Sequence, residues 1–239
     1  LYTQALTSLG VDYDVWDTNN TDNEPSAEYL SAYCVVIWFT GDEFGGACGP
    51  GAAGEAALQS WLASGKNLFL SSQDYFFDRR ISGQPNPFMI NVLGVASIGN
   101  DVSPRQTSMT GANVFAGLGP YTLNFTTPAG TLSNWTDNVT PGAGAQVAFV
   151  GNNGNAGISK DSGVYKTVFL VVPLETAPAA GIAAVIARAL NWFYPCGPAL
   201  CPGDMNCDGS VTFDDIDLFV EALNYPGGEG WPYDPCPWL

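Results

Sequence analysis

The chain has 239 residues, with 7 Lys+Arg against 23 Asp+Glu and no His, for a formal net charge of −16. That balance excludes nucleic acid as a partner, because phosphate binding needs basic side chains that release counterions, and it argues against anionic membrane surfaces. Without imidazole there is no Ser-His-Asp or Cys-His pair and no His-ligated zinc, so carboxylates, hydroxyls, a few cations or calcium must carry any chemistry.

Residues 1–9 place Leu1, Tyr2, Ala5, Leu6 and Leu9 on one helical stripe, closed by Gly10. The period-two alternation of 11–17 predicts a strand. Ser26 is the expected N-cap of a short helix. The continuous apolar run 34–40 has the pattern of a parallel strand buried on both faces. A Gly-rich loop over 41–51 leads to a helix over 52–64, a second buried strand over 67–72 and a short helix over 87–93. From 97 to 163 turn residues and alternation predict an antiparallel insertion or an edge region. A third buried strand over 164–172 and an apolar helix over 179–193 follow. Strands alternating with helices predict an α/β domain over 1–195, a three-layer, mostly parallel sheet. A small separate module spans 196–239. No apolar run reaches the ~18 residues of a membrane span.

Charged residues make up only 13%, while Gly (28) and Pro (17) are plentiful, the profile of a secreted bacterial protein. The even number of cysteines fits an oxidising compartment. Cys196, Cys201, Cys207 and Cys236 crowd the last 44 residues, where disulfides Cys207–Cys236 and Cys196–Cys201 are expected. The pairing of Cys34 and Cys48 stays open. The chain starts inside a helix, with neither an initiator Met nor a signal peptide, and reads as a mature piece or a fragment.

Residues 204–215 carry the most specific motif. Asp204, Asn206 and Asp208 fall at loop positions 1, 3 and 5, Gly209 at 6 and Asp215 at 12, the oxygen spacing that wraps a turn around Ca²⁺. Ser210 offers its carbonyl, and Thr212 contacts the ion directly or through water. The loop resembles a type I dockerin repeat, EF-hand-like, over about 202–223. Dockerins use two such repeats and one is visible here. The cohesin-reading pair at positions 10 and 11 would be Phe213 and Asp214 instead of the usual small hydroxyl pair, which argues against cohesin docking.

The stretches VVIWFTGDEFGG, LQSWLASGKNLFLSSQDYFFD and VYKTVFLVVPLETAP, in this strand and helix order, resemble class I glutamine amidotransferase-like domains of the non-catalytic, secreted type. The resemblance implies a flavodoxin/amidotransferase-like sheet whose first strand would precede Leu1. The active family's nucleophilic Cys would fall at the turn where Ser71, Ser72 and Gln73 stand, and its His has no counterpart. Glutaminase chemistry is excluded.

Parallel sheets bind ligands at the carboxyl ends of their strands. Those ends deliver Asp42 and Glu43, then Gln73, Asp74 and Asp78, then Glu175. They suit a sugar site, a cation site or a glycosidase carboxylate pair, or else simply cap helices. Gly49, Gly51 and Gly54 match the dinucleotide pattern G-x-G-x-x-G but follow the strand too late for it. Ser71 and Ser72 lack a base, so strand-end hydroxyls bonding the backbone is the simpler role. The expected function is a non-catalytic binding or assembly domain of a secreted modular protein, with a structural calcium ion and a protein or extracellular glycan as partner. The alternative is a secreted, glycan-directed hydrolase working through Asp42, Glu43, Asp74 or Glu175.

Overall fold

Two-sided apolar runs need a layer on each face, and the computed structural model shows how this chain supplies both. It describes residues 1–19, 21–45, 49–128 and 130–193, together with Phe213, Ile216 and Val220. The chain divides into two units, Leu1–Tyr194 and Pro195–Leu239. In the second, Ile216 and Val220 are helical and, like Phe213, exposed. The calcium-loop residues Asp204, Asn206, Asp208, Ser210, Thr212 and Asp215, the cysteines Cys196, Cys201, Cys207 and Cys236, and Cys48 lie outside the described residues.

The first unit runs α1 (Tyr2–Ser8), α2 (Ala27–Leu30), β1 (Val35–Phe39), α3 (Ala52–Leu62), β2 (Asn67–Ser71), α4 (Tyr75–Arg79) and a π-helical turn (Met89–Leu93). There follow β3 (Val95–Gly99), β4 (Ser108–Gly111), β5 (Tyr121–Thr122), β6 (Thr126–Thr127), β7 (Gly130–Thr131) and β8 (Asn138–Pro141). The unit ends with β9 (Ala145–Gly151), β10 (Gly154–Asp161), β11 (Lys166–Leu170) and α5 (Ala179–Phe193). A seven-stranded sheet has the order β1-β2-β11-β10-β9-β4-β5.

The fold is α/β, but the sheet is mixed and not mostly parallel. Only β1, β2 and β11 are parallel; β10, β9, β4 and β5 are added antiparallel. The cause lies between 97 and 163, where the chain makes no crossover helix. Residues 152–153 join β9 to β10 directly, and so short a connection can only reverse the strand. This stretch therefore extends the main sheet across four strands.

Side chains of the parallel strands alternate between two cores. Phe69, Val168 and Leu170 meet Tyr2 and Leu6 of α1 and Ile182, Val185 and Ile186 of α5. Leu68, Leu70 and Phe169 face the opposite way, toward Leu58 and Leu62 of α3, Tyr75 and Phe76 of α4, and Met89 and Leu93. Helices cover both faces of the parallel half.

Residues 11–17, expected as a strand, form none. Tyr13, Val15 and Trp16 are 41%, 65% and 40% exposed. The segment is tied by side chains instead, Trp16 Nε1–H donating to the Asn23 carbonyl at 2.7 Å and the Tyr33 hydroxyl to Asp14 at 2.7 Å. Alternation supplies two faces, but a strand also needs a partner for its backbone groups.

The glycines of the G-x-G-x-x-G match have another occupant. Both carboxylate oxygens of Glu24 sit at the start of α3, accepting the Gly51 and Gly54 N–H groups, each at 2.6 Å. A Cβ on Gly49 or Gly54 would lie 2.5 Å from that carboxylate. The helix N-terminus, which attracts anions, is thus filled by a side chain of the same chain. Glu24→Ala should lower the unfolding free energy by about 1–2 kcal/mol, as a lost cap does. Gly54→Ala should also destabilise, although Ala gains about 1 kcal/mol of helix propensity over Gly, because it displaces Glu24. Denaturant midpoints at unchanged slope check both; a stabilised Gly54→Ala would contradict the cradle.

Candidate functional site at the strand ends

The turns after β1, β2 and β11 meet at one edge, and buried hydroxyls fix them first. Ser71 Oγ donates to the Val172 carbonyl (3.1 Å) and accepts the Leu174 N–H (2.9 Å). Ser72 Oγ accepts from Thr40 Oγ1 (2.7 Å) and from the Tyr75 N–H (3.0 Å). Both serine oxygens take part in holding the turns in place.

The carboxylates divide by what they hold. Asp42 Oδ2 accepts the Ser133 N–H at 2.6 Å, and Asp78 Oδ1 accepts the Gly45 N–H at 2.8 Å. Glu175 receives the Tyr2 hydroxyl at 3.2 Å. Glu43 is exposed, its N–H closing a turn onto the Thr40 carbonyl. Asp74 differs from all of these. It is only 7% exposed, and its Oδ2 is buried with no hydrogen-bond partner; among the described residues Ser159 Oγ alone shares that condition.

Gln73 reaches across to the loop before β8, donating to the Ser133 carbonyl (3.0 Å) and accepting the Trp135 N–H (3.1 Å). From the other side Gln106 holds the same loop, its N–H donating to Thr136 Oγ1 at 2.8 Å, and Thr136 Oγ1 donates to Asn134 Oδ1 at 2.8 Å. The backbone around Trp135 is pinned twice while its indole stays 45% exposed. The Arg105 guanidinium lies 4.8 Å from the Trp135 ring centroid and pairs with Asp101 at 3.0 Å. The fully buried Asp137 accepts the Asp101 N–H at 2.7 Å.

Sequence reasoning reaches Asp42, Gln73, Asp74, Asp78 and Glu175 at this edge but misses Asp101, Arg105, Trp135 and Asp137. These come from the antiparallel stretch, whose place beside the strand ends depends on the sheet's mixed order. The local signal that could have found them is Asn134-Trp135-Thr136, a large apolar residue between two turn-forming polar ones.

Burial raises Asp74 to about 7, and the charges of Asp78, Asp101 and Asp42 push the same way, against the Gln73 side chain, which favours its charged form. Burial likewise lifts Asp137 to about 8, against the Asp101 N–H that favours its charge. Glu175 rises to about 7 by burial, opposed by backbone N–H groups and the Tyr2 hydroxyl. Among the described residues no group of three or more His, Cys, Asp or Glu is placed to hold a metal ion. The edge therefore gathers acids whose burial favours the protonated form, with the exposed Trp135 on the loop that Gln73 holds.

The pH response follows in sign. These carboxyls keep protons in the folded state that the unfolded chain releases above about pH 4. The native state then binds more protons, so stability falls as pH rises from about 4 toward 8 and levels off beyond. Asp137→Asn, which keeps an acceptor for the Asp101 N–H, should flatten the upper part of that slope. Melting temperatures at constant ionic strength test this; a first unit that gains stability across the interval would refute it.

No protein-family model and no curated protein sequence matches the chain. Solved structures resemble it at the level of fold. The cytoplasmic protein STM3548 from Salmonella typhimurium aligns with a TM-score of 0.56 at 13% identity over 80% of this chain and 85% of that one. The cytoplasmic protein STM1381 from Salmonella typhimurium LT2 gives 0.52 at 13% identity over 80% and 83%. A β-galactosidase from Bacillus circulans sp. alkalophilus gives 0.51 at 16% identity over 80% of this chain but only 26% of its own. At these identities the likeness is one of α/β architecture with a mixed sheet.

Proposed function

We propose that the first unit is a non-catalytic binding domain whose ligand, a hydroxyl-rich glycan, docks at the strand ends. The observations that carry this reading are the exposed Trp135, whose N–H is held by Gln73 Oε1, and the buried, unpartnered Oδ2 of the next residue in the chain, Asp74. Burial of that oxygen without a partner is costly, and a sugar hydroxyl that displaced its cover would relieve the cost. The indole would offer an apolar face to a sugar ring. The hydrolase reading fares worse because a glycosidase needs two carboxyls free to act on one bond. Here Asp42 and Glu175 already hold a loop N–H and the Tyr2 hydroxyl, which leaves the exposed Glu43 and Asp74, and Asp74 Oδ2 is buried.

Calorimetry with short galactan, mannan and glucan oligosaccharides tests the reading. At least one should bind, with affinity falling at least tenfold in Trp135→Ala and in Asp74→Ala at unchanged melting cooperativity. Silence across the panel would refute glycan binding, and release of new reducing ends would refute the non-catalytic assignment.

We further infer that the chain is secreted and that its second unit is a dockerin-like calcium module, from the ligand spacing of 204–215. Asp204, Asp208 and Asp215 repel one another without a cation, and Ca²⁺ turns that repulsion into coordination. Hydrogen exchange across 204–223 should slow with Ca²⁺ and quicken with EDTA. Asp208→Ala should abolish the difference, and Asp214→Ala should keep it. Identical exchange with and without the ion would end the assignment.

A further inference from the structure

The loop between α1 and α2 holds a side-chain amide out to solvent on a fixed base. Trp16 closes the loop, its Nε1–H donating to the Asn23 carbonyl at 2.7 Å. One residue further, Glu24 is seated at the start of α3 by the Gly51 and Gly54 N–H groups. Between these feet the chain turns at Asn19, whose φ of 53° lies in the left-handed region that asparagine tolerates. The Asn19 N–H donates to Asp17 Oδ1 at 2.7 Å. Thr21 donates its N–H, at 3.1 Å, and its hydroxyl, at 2.6 Å, to the Thr18 carbonyl. Asp17, Asn19 and Thr21 are all exposed.

Asn19 and Thr21 are the ends of an Asn-x-Thr acceptor for N-linked glycosylation. Asp17 stands two places ahead, which gives the acidic-x-Asn-x-Thr frame that the bacterial reaction uses. Three other Asn-x-Thr sequences begin at Asn124, Asn134 and Asn138, but Thr122, Leu132 and Thr136 stand two places ahead of them. The fold also engages each of the three. Asn134 Nδ2 donates to the Gln106 carbonyl at 3.0 Å, and Asn138 Nδ2 to the Asn153 carbonyl at 3.2 Å. Thr136, which completes the Asn134 acceptor, is fully buried. Asn124 is exposed, but its N–H is bonded to the Thr176 carbonyl at 2.7 Å and Phe125 beside it packs against the core of α1 and α5.

We propose that Asn19 is a glycosylation site, accepting its glycan from a lipid-linked oligosaccharide diphosphate. The bond from Asn19 Nδ2 to the anomeric carbon forms as the bond from that carbon to the diphosphate oxygen breaks. Nδ2 gives up one proton to a base on the transferase, the lipid diphosphate leaves, and nothing is oxidised or reduced. The contacts inside 17–21 are exposed, so water replaces them at little cost when the acceptor enters an enzyme. The Trp16 and Glu24 anchors lie outside that stretch, so the folded chain is itself the acceptor. The glycan would stand near Val15 and Trp16, apolar side chains that otherwise face water. Meeting such a donor requires the export inferred above.

The test incubates the folded full chain with a purified bacterial oligosaccharyltransferase and its lipid-linked oligosaccharide. Intact mass should rise by one glycan, and peptide mapping should place it on Asn19. Asn19→Gln and Thr21→Val should abolish the gain, Thr21→Ser should retain it, and Asp17→Asn should slow it at least tenfold. A blocked peptide of residues 15–23 measures the acceptor frame outside the fold. Modification of that peptide but not of the folded chain would overturn the proposal, as would failure of both. A glycan mapped to Asn124, Asn134 or Asn138 would overturn it too. Purified components make the outcome independent of where the chain resides, so failure here is distinct from failure of export.

Discussion

The pairing of β2 with β11 is the contact on which the first unit depends. It joins residues about a hundred positions apart in perfect register from Asn67↔Lys166 to Leu170↔Ser71, so a large loop must close before it yields any stabilisation. Both strands are buried along nearly their whole length, which leaves the ladder as the means of satisfying their backbone groups. A single side chain fixes the start. Asn67 accepts the Lys166 N–H at 2.9 Å and donates to the Phe193 carbonyl at 3.2 Å. That one amide aligns two strands and ties down the end of α5.

From this seam the sheet grows by two different rules. On the β1 side the neighbour is parallel and reached through a helix. On the β10 side β11, β10 and β9 lie beside one another in chain order, and β4 with its antiparallel neighbour β5, from earlier in the chain, completes the sheet. The edge where the loops meet therefore mixes two kinds of connection. Turns after parallel strands contribute Gln73 and Asp74, and an insertion folded back from the antiparallel half contributes Arg105 and Trp135.

The parallel half is legible in the sequence because an unbroken run such as Leu68-Phe69-Leu70 has apolar groups for two layers, and because Gly10 and Gly94 end their helical turns at positive φ, 67° and 78°. Where local pattern is the only guide, the reading fails in both directions. Residues 11–17 have the alternation of a strand and no ladder. Residues 97–163 have weak signals and yet build four strands of the main sheet. The strand-end acids are readable by type and position, but what each one holds is not. Asp42 is joined to Ser133 across 91 residues of chain and Gln73 to Trp135 across 62, distances at which no periodicity carries information.

Glu24 at the head of α3 has a consequence for what this fold can bind. A carboxylate tethered within the same folded chain competes at an effective concentration that free ions do not approach, and it is already aligned with two N–H groups. Phosphate or a nucleotide arriving at this turn would have to evict a resident that is never diluted away, and would then leave that resident's charge to be solvated elsewhere. The glycine-rich turn is thereby a self-inhibited anion nest. Its selectivity is set by occupancy and not by shape, so the anion chemistry that such turns perform in nucleotide-binding proteins is closed to this chain while Glu24 keeps its seat.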